Sequence, residues 1–213
     1  MELMPTETGA SSSAPSHAYA AASMTDRQSL QRVREALAAD DTLLERLQPF
    51  AAKYGGLDRC LLSYLRAGDV QYDVQKALAR LRSSLDFRKS MGLDDITDAA
   101  AALNDHPLKD VWPVSFPLMA PNGCPVQYAR CGAIRPSQLT KTTGGEASLK
   151  LAVALSLSRA LELQAKVEKT RHCVGTYDVY DLQGASREHL ELGALRTLGR
   201  CISLGTSHFP ETL

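Results

Sequence analysis

The sequence has 213 residues, of which 44% are hydrophobic and 23% charged, and this composition excludes wholesale disorder, a collagen-like chain and a coiled coil. Its 24 lysines and arginines balance 24 aspartates and glutamates. The balance excludes a basic field over the whole surface, so we expect no nucleic-acid partner, although a local basic face stays open.

The cysteine count and the apolar segments predict where the chain resides. Five cysteines, an odd and sparse number, indicate reduced intracellular thiols rather than a disulfide framework. The longest apolar stretch, residues 149–163, is interrupted by Lys150, Arg159 and Glu162 and is shorter than the ~20 apolar residues of a membrane span. We therefore expect a soluble, cytoplasmic protein.

Residues 1–24 are rich in serine, proline and alanine, and they predict a disordered tail. Residues 25–105 then carry apolar side chains at helical spacing, which predicts a helical bundle. Thr25 or Asp26 is expected to cap the first helix, and Asp40 or Asp41 is expected to cap the second.

Two further helices complete the predicted bundle. The third covers residues 57–67, directly after two glycines that end the second helix. The fourth begins after Asp73 and closes at Gly92. Its apolar stripe consists of Val74, Ala77, Leu78, Leu81 and Leu85.

A mixed pattern follows residue 106. Apolar side chains at alternate positions predict a strand over residues 111–119, despite Pro113 and Pro117. A turn and a second strand come next. A helix over 146–170, a strand over 173–181 and a helix over 187–204 complete the pattern. The fold class is therefore predicted to be α/β, with the helical bundle first.

Three segments carry motifs whose order and spacing are informative. Residues 60–67 read CLLSYLRA and are followed by DVQKA and SLDFR; residues 122–128 read NGCPVQY. Residues 178–184 read DVYDLQG, and residues 205–213 read GTSHFPETL. Together they resemble the CRAL-TRIO lipid-binding family. Its cap reads approximately L-L-R-F-L-R-A, its first lipid-domain turn D-G-R-P-V, and its later motifs D-L-x-G and N-Y-P-E-x-L/M.

The resemblance implies a CRAL-TRIO N-terminal cap over residues 25–105 and a lipid-binding α/β domain over residues 106–213. In the family the P-E motif precedes a central strand, a mobile gate helix and the last wall of the pocket. The resemblance therefore implies that this α/β domain is incomplete at Leu213. An incomplete sheet is expected to leave an apolar face and a strand edge open.

The resemblance also implies a ligand and two contact residues. Relatives include phosphatidylinositol/phosphatidylcholine transfer proteins, so we expect a phospholipid or other apolar lipid in an apolar cavity, exchanged at a transient membrane contact. Glu211 matches the family glutamate that contacts an inositol headgroup. The alternative is that Glu211 has no ligand contact and lies in the first turn of a helix after Pro210, where the helix dipole favours a negative charge. Thr176 matches a hydroxyl residue that contacts a phosphatidylcholine headgroup.

Other family positions differ in this chain. Phosphoinositide-binding relatives carry an Arg-Lys pair after L-R-A, whereas this chain has Gly68-Asp69, and the acidic residue disfavours a phosphate. Phe116 and Gln127 stand at the two tyrosine positions of relatives that bind phosphatidylcholine, and Asp178 replaces a threonine. We therefore expect a different headgroup or a less polar lipid.

Two aspartates of the last predicted strand have separate expectations. Asp178 and Asp181 lie three residues apart and are expected to face opposite sides. Asp181 precedes Gly184 and is expected to act as a turn residue. Asp178 would need a partner inside an apolar cavity, and Arg130 is the candidate.

Enzymatic chemistry finds little support. Residues 205–209 read GTSHF and are close to the hydrolase motif G-x-S-x-G, but Phe209 stands where the second glycine is needed. The side chain of His208 cannot easily reach back to its neighbour Ser207 to act as its base. Three cysteines and a histidine lack zinc-ligand spacing: Cys124, Cys131, Cys173 and His172. The cysteines are expected to pack as small buried apolar groups. No catalytic residue, cofactor or metal site is predicted.

The basic residues of the cap have two interpretations, an ordinary solvated helix face or a peripheral membrane contact; they are Arg27, Arg32, Arg34, Arg80, Arg82, Arg88 and Lys89. The leading hypothesis is a lipid-binding or lipid-transfer module without covalent chemistry. The second is a protein-interaction or regulatory module on the same fold, and the third is a hydrolase that uses Ser207.

Overall fold

The computed structural model describes residues 24–53, 55–139, 145–167 and 175–210. The helices are α1 (Met24–Ala38), α2 (Asp41–Lys53), α3 (Leu57–Arg66), α4 (Val74–Ser90), α5 (Ala99–Asp105), α6 (Pro136–Leu139), α7 (Glu146–Ala165) and α8 (Leu192–His208). The strands are β1 (Val114–Met119), β2 (Pro125–Ala129) and β3 (Tyr177–Tyr180).

The mixed α/β class is confirmed. The tail predicted over residues 1–24 lies, except for its last residue, outside the described residues, and the domain boundary at residue 105 stays a prediction.

Helix α4 follows the prediction from its sequence closely. All five residues of the predicted apolar stripe are buried. The Asp73 carboxylate accepts a hydrogen bond from the backbone N–H of Lys76 at 3.1 Å, which satisfies one of the free donors of the first turn. Gly92 follows the helix at φ 65°, a left-handed conformation that glycine adopts without a steric penalty. Asp40 caps α2 in the same way, through the N–H of Leu43 at 3.0 Å.

Asp26 does not have the predicted role of a helix cap. Helix α1 already includes Met24, so Asp26 lies in the first turn and is only 4% exposed. Its carboxylate accepts two hydrogen bonds from the Arg66 guanidinium, at 3.0 and 2.8 Å, and one from the Tyr72 hydroxyl at 3.0 Å. This network ties α1 to the end of α3 and to the loop that follows.

The loop between α3 and α4 has an unusual backbone. Gln71 and Tyr72 have φ values of 49° and 65°, the left-handed region that side chains other than glycine rarely adopt. The N–H of Tyr72 donates to the carbonyl of Leu65 at 2.8 Å, and its hydroxyl binds Asp26. These two contacts hold a conformation that costs about 1 kcal/mol or more per residue.

The three strands form one sheet in the order β1-β2-β3. β1 and β2 are antiparallel, with an irregular register between Ser115 and Leu118, the segment that contains Pro117. A proline in a strand removes one ladder donor, which accounts for the break. β2 and β3 are parallel, so that Val126 lies opposite Tyr177.

The structure shortens three of the predicted elements and shifts a fourth. The strand predicted over residues 173–181 is β3, which covers only Tyr177–Tyr180 among the described residues. β1 begins at Val114, after Trp112 and Pro113, and Leu118 is 56% exposed, so the period of two does not mark a buried face. Helix α7 ends at Ala165 rather than near residue 170. The helix predicted over 187–204 is a short 3-10 segment followed by α8, which extends to His208.

A continuous core connects the bundle with the helices that follow the sheet's first two strands. Leu81 of α4, Leu155 of α7, Leu204 of α8 and Phe209 belong to one cluster of buried side chains. Burial of such side chains stabilises the fold by about 2 kcal/mol each. Helix α8 therefore packs on α4, and α7 packs on α8 within the same core.

One expectation about the cysteines is wrong. Cys131 and Cys201 are free thiols, but Cys124 is disulfide-bonded. A disulfide is unexpected for a chain whose cysteine count predicts reduced thiols. The cytoplasmic location stays a prediction.

The Asp26 network leads to a stability prediction. Asp26→Ala leaves Arg66, whose side chain is 24% exposed, without its carboxylate and removes the anchor of the Tyr72 hydroxyl. We expect a loss of about 3 kcal/mol in the free energy of unfolding, measured by urea denaturation. The matched control is Asp86→Ala, which removes an exposed carboxylate from Arg46 and should cost less than about 0.5 kcal/mol. Equal losses in the two variants would contradict the network's importance.

Candidate functional site

A polar pocket of about 760 Å³ lies where the loop after α3, one face of α4 and the end of α8 meet. We call it the polar pocket throughout. Its lining residues are Ser63, Arg66, Ala67, Gly68, Asp69, Val70, Lys76, Ala79, Arg80, Ser83, Thr206, Ser207 and Pro210.

Helix α4 forms one wall of the polar pocket. Lys76, Arg80 and Ser83 follow one another at intervals of four and three residues, which places them on one side of a helix. The opposite side of α4 carries the buried stripe, including Leu78 and Leu81. The pocket wall is therefore fixed by core packing behind it.

Arg80 connects the three elements of the polar pocket. Its guanidinium forms an ion pair with Asp69 of the loop. Its Nε donates to the backbone carbonyl of Ser207 in α8 at 3.3 Å. The Arg80 side chain is 12% exposed, whereas Asp69 is 75% exposed and lies toward solvent. The charge of Arg80 is thus compensated by a carboxylate of the loop.

His208 lies beside the pocket at the end of α8. Its ring is stacked on the ring of Phe87, with centroids 4.2 Å apart and planes 5° apart. Its Nδ1 is buried without a hydrogen-bond partner among the described residues. Burial lowers the pKa of His208, and the positive charge of Arg80 lowers it further. His208 is therefore a neutral, packed side chain near pH 7.

The two predicted contact residues have different outcomes. Glu211 lies outside the described residues, directly after Pro210, which lines the polar pocket. Thr176 is half-buried before β3, and its hydroxyl donates to the Asp178 carboxylate at 2.9 Å. Thr176 is not a lining residue of the polar pocket. The structure therefore does not bring Thr176 to that pocket, and the roles of both residues stay predictions.

The aspartates of β3 and its end bind hydroxyl and backbone groups. Asp181 accepts the N–H of Gln183 at 2.9 Å, which confirms the predicted turn contact, and the Tyr128 hydroxyl at 2.6 Å. The hydrogen bond from Tyr128 is the main reason that the pKa of Asp181 is lowered. Asp178 accepts the hydroxyls of Thr176 and Tyr180 rather than the proposed bond from Arg130.

Tyr180 and Gln127 surround Asp178 on the sheet. Gln127 is paired with Asp178 across the parallel β2–β3 ladder. Although Tyr180 as a whole is 59% exposed, partial desolvation of its hydroxyl, then the Asp178 charge, raises the pKa of Tyr180 to about 12. This corner of the sheet is a set of neutral donors around one carboxylate.

An exposed apolar surface lies on α8 and β3. On α8, Leu192, Leu195, Leu198 and Ile202 are 47–62% exposed and form what we call the α8 ridge. On β3 the exposed side chains include Tyr177, Val179 and Tyr180. These side chains form an exposed apolar surface, whereas the open face expected of an incomplete sheet stays a prediction.

The sequence does not predict that two cations, Lys76 and Arg80, line the polar pocket. For Arg80 it predicts only a place on the basic face of the cap. The helical spacing of Lys76, Arg80 and Ser83 was visible in the sequence. The pairing of Arg80 with Asp69 was not, because it depends on how the loop folds back onto α4.

Comparison with known proteins identifies a distant relative. No family model matches the sequence. The chain is 27% identical over 160 residues to a CRAL-TRIO domain-containing protein of Caenorhabditis elegans, an alignment that covers 73% of this chain and 21% of the relative. The chain therefore spans about a fifth of the length of this relative. Within the described residues, no group of three or more His, Cys, Asp or Glu side chains is placed to hold a metal ion.

The environment of His208 leads to a pH prediction. We expect its NMR titration midpoint to lie below the ordinary value of 6.5, because the folded state disfavours its charged form. The pKa of His208 is lower in the folded than in the unfolded state. The stability that the neutral ring contributes is therefore complete above pH 6.5 and is lost as the pH falls from 6.5 through the folded-state pKa. Arg80→Gln should raise the midpoint of His208. His106, whose pKa is lowered by burial, is the internal control and should not move. An unchanged His208 midpoint would contradict the role assigned to Arg80.

Proposed function

We propose that the chain is a lipid-binding and lipid-transfer module of CRAL-TRIO type, which shelters an apolar ligand from water and exchanges it at a membrane surface. One observation carries the proposal. The polar pocket joins the loop after α3 to Pro210, and the resemblance assigns headgroup contacts to these two places. Glu211 directly follows Pro210, so its proposed headgroup contact fits the position of the pocket. The distant CRAL-TRIO relative supports the same family.

The α8 ridge supports the membrane part of the proposal. Leu195, Leu198 and Ile202 lie on one flank of α8, and the exposed Arg196 and Arg200 lie on another, where Arg200 forms an ion pair with Glu146 at 3.0 Å. An exposed apolar flank on an otherwise polar helix is typical of helices that lie in a membrane interface. None of the described helices has the length and apolar character that a bilayer crossing requires.

We propose no covalent step for this chain. The His208 ring is packed against a phenylalanine, which does not favour its acting as a base for Ser207. A second serine–histidine pair, Ser148 and His106, is 3.4 Å apart. The Nδ1 of His106 accepts the N–H of Leu108 at 3.1 Å, so the proton of the neutral ring is on Nε2, and the ring does not remove a proton from Ser148.

The second candidate function is a protein-interaction module on the same fold. The exposure of the α8 ridge and of β3, an edge strand in the described sheet, favours it. An unpaired strand edge and an apolar helix flank are features that other proteins bind. In this alternative a protein partner, rather than a lipid, covers the apolar surface.

Lipid uptake tests the leading proposal directly. The purified chain is incubated with liposomes that contain radiolabelled phosphatidylcholine and is then separated from them by gel filtration. We expect labelled lipid to co-elute with the protein at up to one molecule per chain, because the proposal assigns one ligand site to each chain. Heat-denatured chain serves as the control. A chain that elutes free of lipid would exclude transfer by this chain and favour the interaction module.

The α8 ridge provides a second test. The double variant Leu198→Asp and Ile202→Asp should lower affinity for anionic liposomes at least about tenfold in co-sedimentation, because each buried leucine or isoleucine contributes about 2 kcal/mol. Both side chains are about half exposed, so the fold should tolerate the change. Ser203→Asp adds a charge to the polar flank of the same helix and is the matched control. Equal effects in the two variants, or no effect in either, would disprove membrane contact through the ridge.

A further inference from the structure

Both arginines of the polar pocket already bind a carboxylate of this chain. Arg66 donates two hydrogen bonds to Asp26, and Arg80 is paired with Asp69. A guanidinium that binds a carboxylate through its fork presents fewer donors to a phosphate. The polar pocket is therefore less cationic than its lining residues suggest.

These two ion pairs are held by further contacts. Asp26 is nearly fully buried and also accepts the Tyr72 hydroxyl at 3.0 Å. Arg80 is largely buried, and its Nε donates to the carbonyl of Ser207. Releasing either arginine toward a ligand would break these bonds and leave a charge unpaired. The pairs thus act as fixed parts of the site.

The charges around the pocket define what it can neutralise. Among the described residues the cations are Arg66, Lys76 and Arg80, and the carboxylates are Asp26 and Asp69. These five groups leave one net positive charge, and the headgroup contact proposed for Glu211 would add a negative charge rather than a positive one. A phosphodiester carries a single negative charge, whereas each phosphomonoester adds about 1.5 to 2 more. Additional phosphates would face the exposed carboxylate of Asp69.

We propose that Asp69, together with Asp26, restricts the polar pocket to headgroups with a single phosphodiester charge and excludes headgroups that carry phosphomonoesters. Asp69 is then a specificity-determining residue that acts by holding Arg80 and by repelling further negative charge at the mouth. The assignment rests on the proposed function, in which the polar pocket receives a lipid headgroup. The recognised chemistry is the phosphate charge, whether it belongs to a lipid or to a free phosphate ester.

The first experiment uses soluble probes and does not depend on lipid uptake. Inositol 1,4,5-trisphosphate, with three phosphomonoesters, is titrated into the full chain and its dissociation constant is measured by calorimetry. Asp69→Asn should bind it about tenfold more tightly than the wild type, because Arg80 becomes available. The control Asp86→Asn removes a carboxylate from Arg46, which is not a lining residue of the pocket, and should leave the affinity unchanged. Adding Arg80→Gln to Asp69→Asn should abolish the gain.

Asp69 is 75% exposed, so Asn should preserve the fold, and thermal unfolding of each variant checks this. A wild type that binds the trisphosphate as tightly as Asp69→Asn, including the case in which both fail to bind it, overturns the proposal. A gain that survives Arg80→Gln, or that also appears in Asp86→Asn, overturns it as well.

The second experiment separates this proposal from the lipid-binding function. The chain is offered liposomes of phosphatidylcholine alone or with phosphatidylinositol 4,5-bisphosphate, and the extracted lipid is identified by mass spectrometry. We expect the wild type to extract phosphatidylcholine and to leave the bisphosphate behind, and Asp69→Asn to extract more of the bisphosphate. If no chain extracts lipid but Asp69→Asn gains trisphosphate affinity, lipid binding fails, and the charge restriction holds for free phosphate esters. Extraction of the bisphosphate by the wild type overturns the restriction.

Discussion

The buried carboxylate of Asp26 is the constraint on which the α3–α4 loop depends. A nearly inaccessible carboxylate is stable only if charged and polar groups surround it, and here Arg66 and Tyr72 do so. Satisfying Asp26 holds Tyr72 in the left-handed region and turns the loop so that Gly68 and Asp69 face the polar pocket. The charge distribution of the pocket thus originates in the first turn of α1, more than forty residues earlier in the chain.

Helix α4 connects the core with the pocket. Its buried stripe packs in the same cluster as α7 and α8, while Lys76 and Arg80 line the pocket on another side of the helix. A packed core resists small displacements. The core packing of α4 and α8 therefore fixes the distance between the loop and the end of α8. Arg80 closes this arrangement by contacting Asp69 on the loop and Ser207 on α8. The site is therefore a junction of three elements rather than a feature of one motif.

The sequence pattern predicted those parts of the fold that depend on interactions between residues close together in the chain. The α4 stripe, the Asp73 cap and the left-handed Gly92 follow from helical spacing, capping and glycine's freedom, all of which act within a few residues. The role of Asp26 and the pairing of Arg80 were not predictable in this way, because each partner is chosen by tertiary packing. The pattern of β1 failed for a related reason: alternation marks a buried face only if something covers it, and no described element buries that face.

The same pairing of charges changes how the basic residues of the cap are understood. Arg34, Arg82 and Arg88 bind Asp58, Asp40 and Asp94 from other parts of the bundle, so the basic face expected from sequence is largely compensated. Compensated charges produce a weak field beyond about 8 Å at physiological salt, which leaves little attraction for an anionic membrane. The α8 ridge, where apolar side chains are about half exposed, is an apolar surface that does not depend on these charges. In the proposed function the membrane contact is made through this ridge and therefore depends little on salt, and the charged residues at the polar pocket serve the selection of the ligand rather than the approach to the membrane.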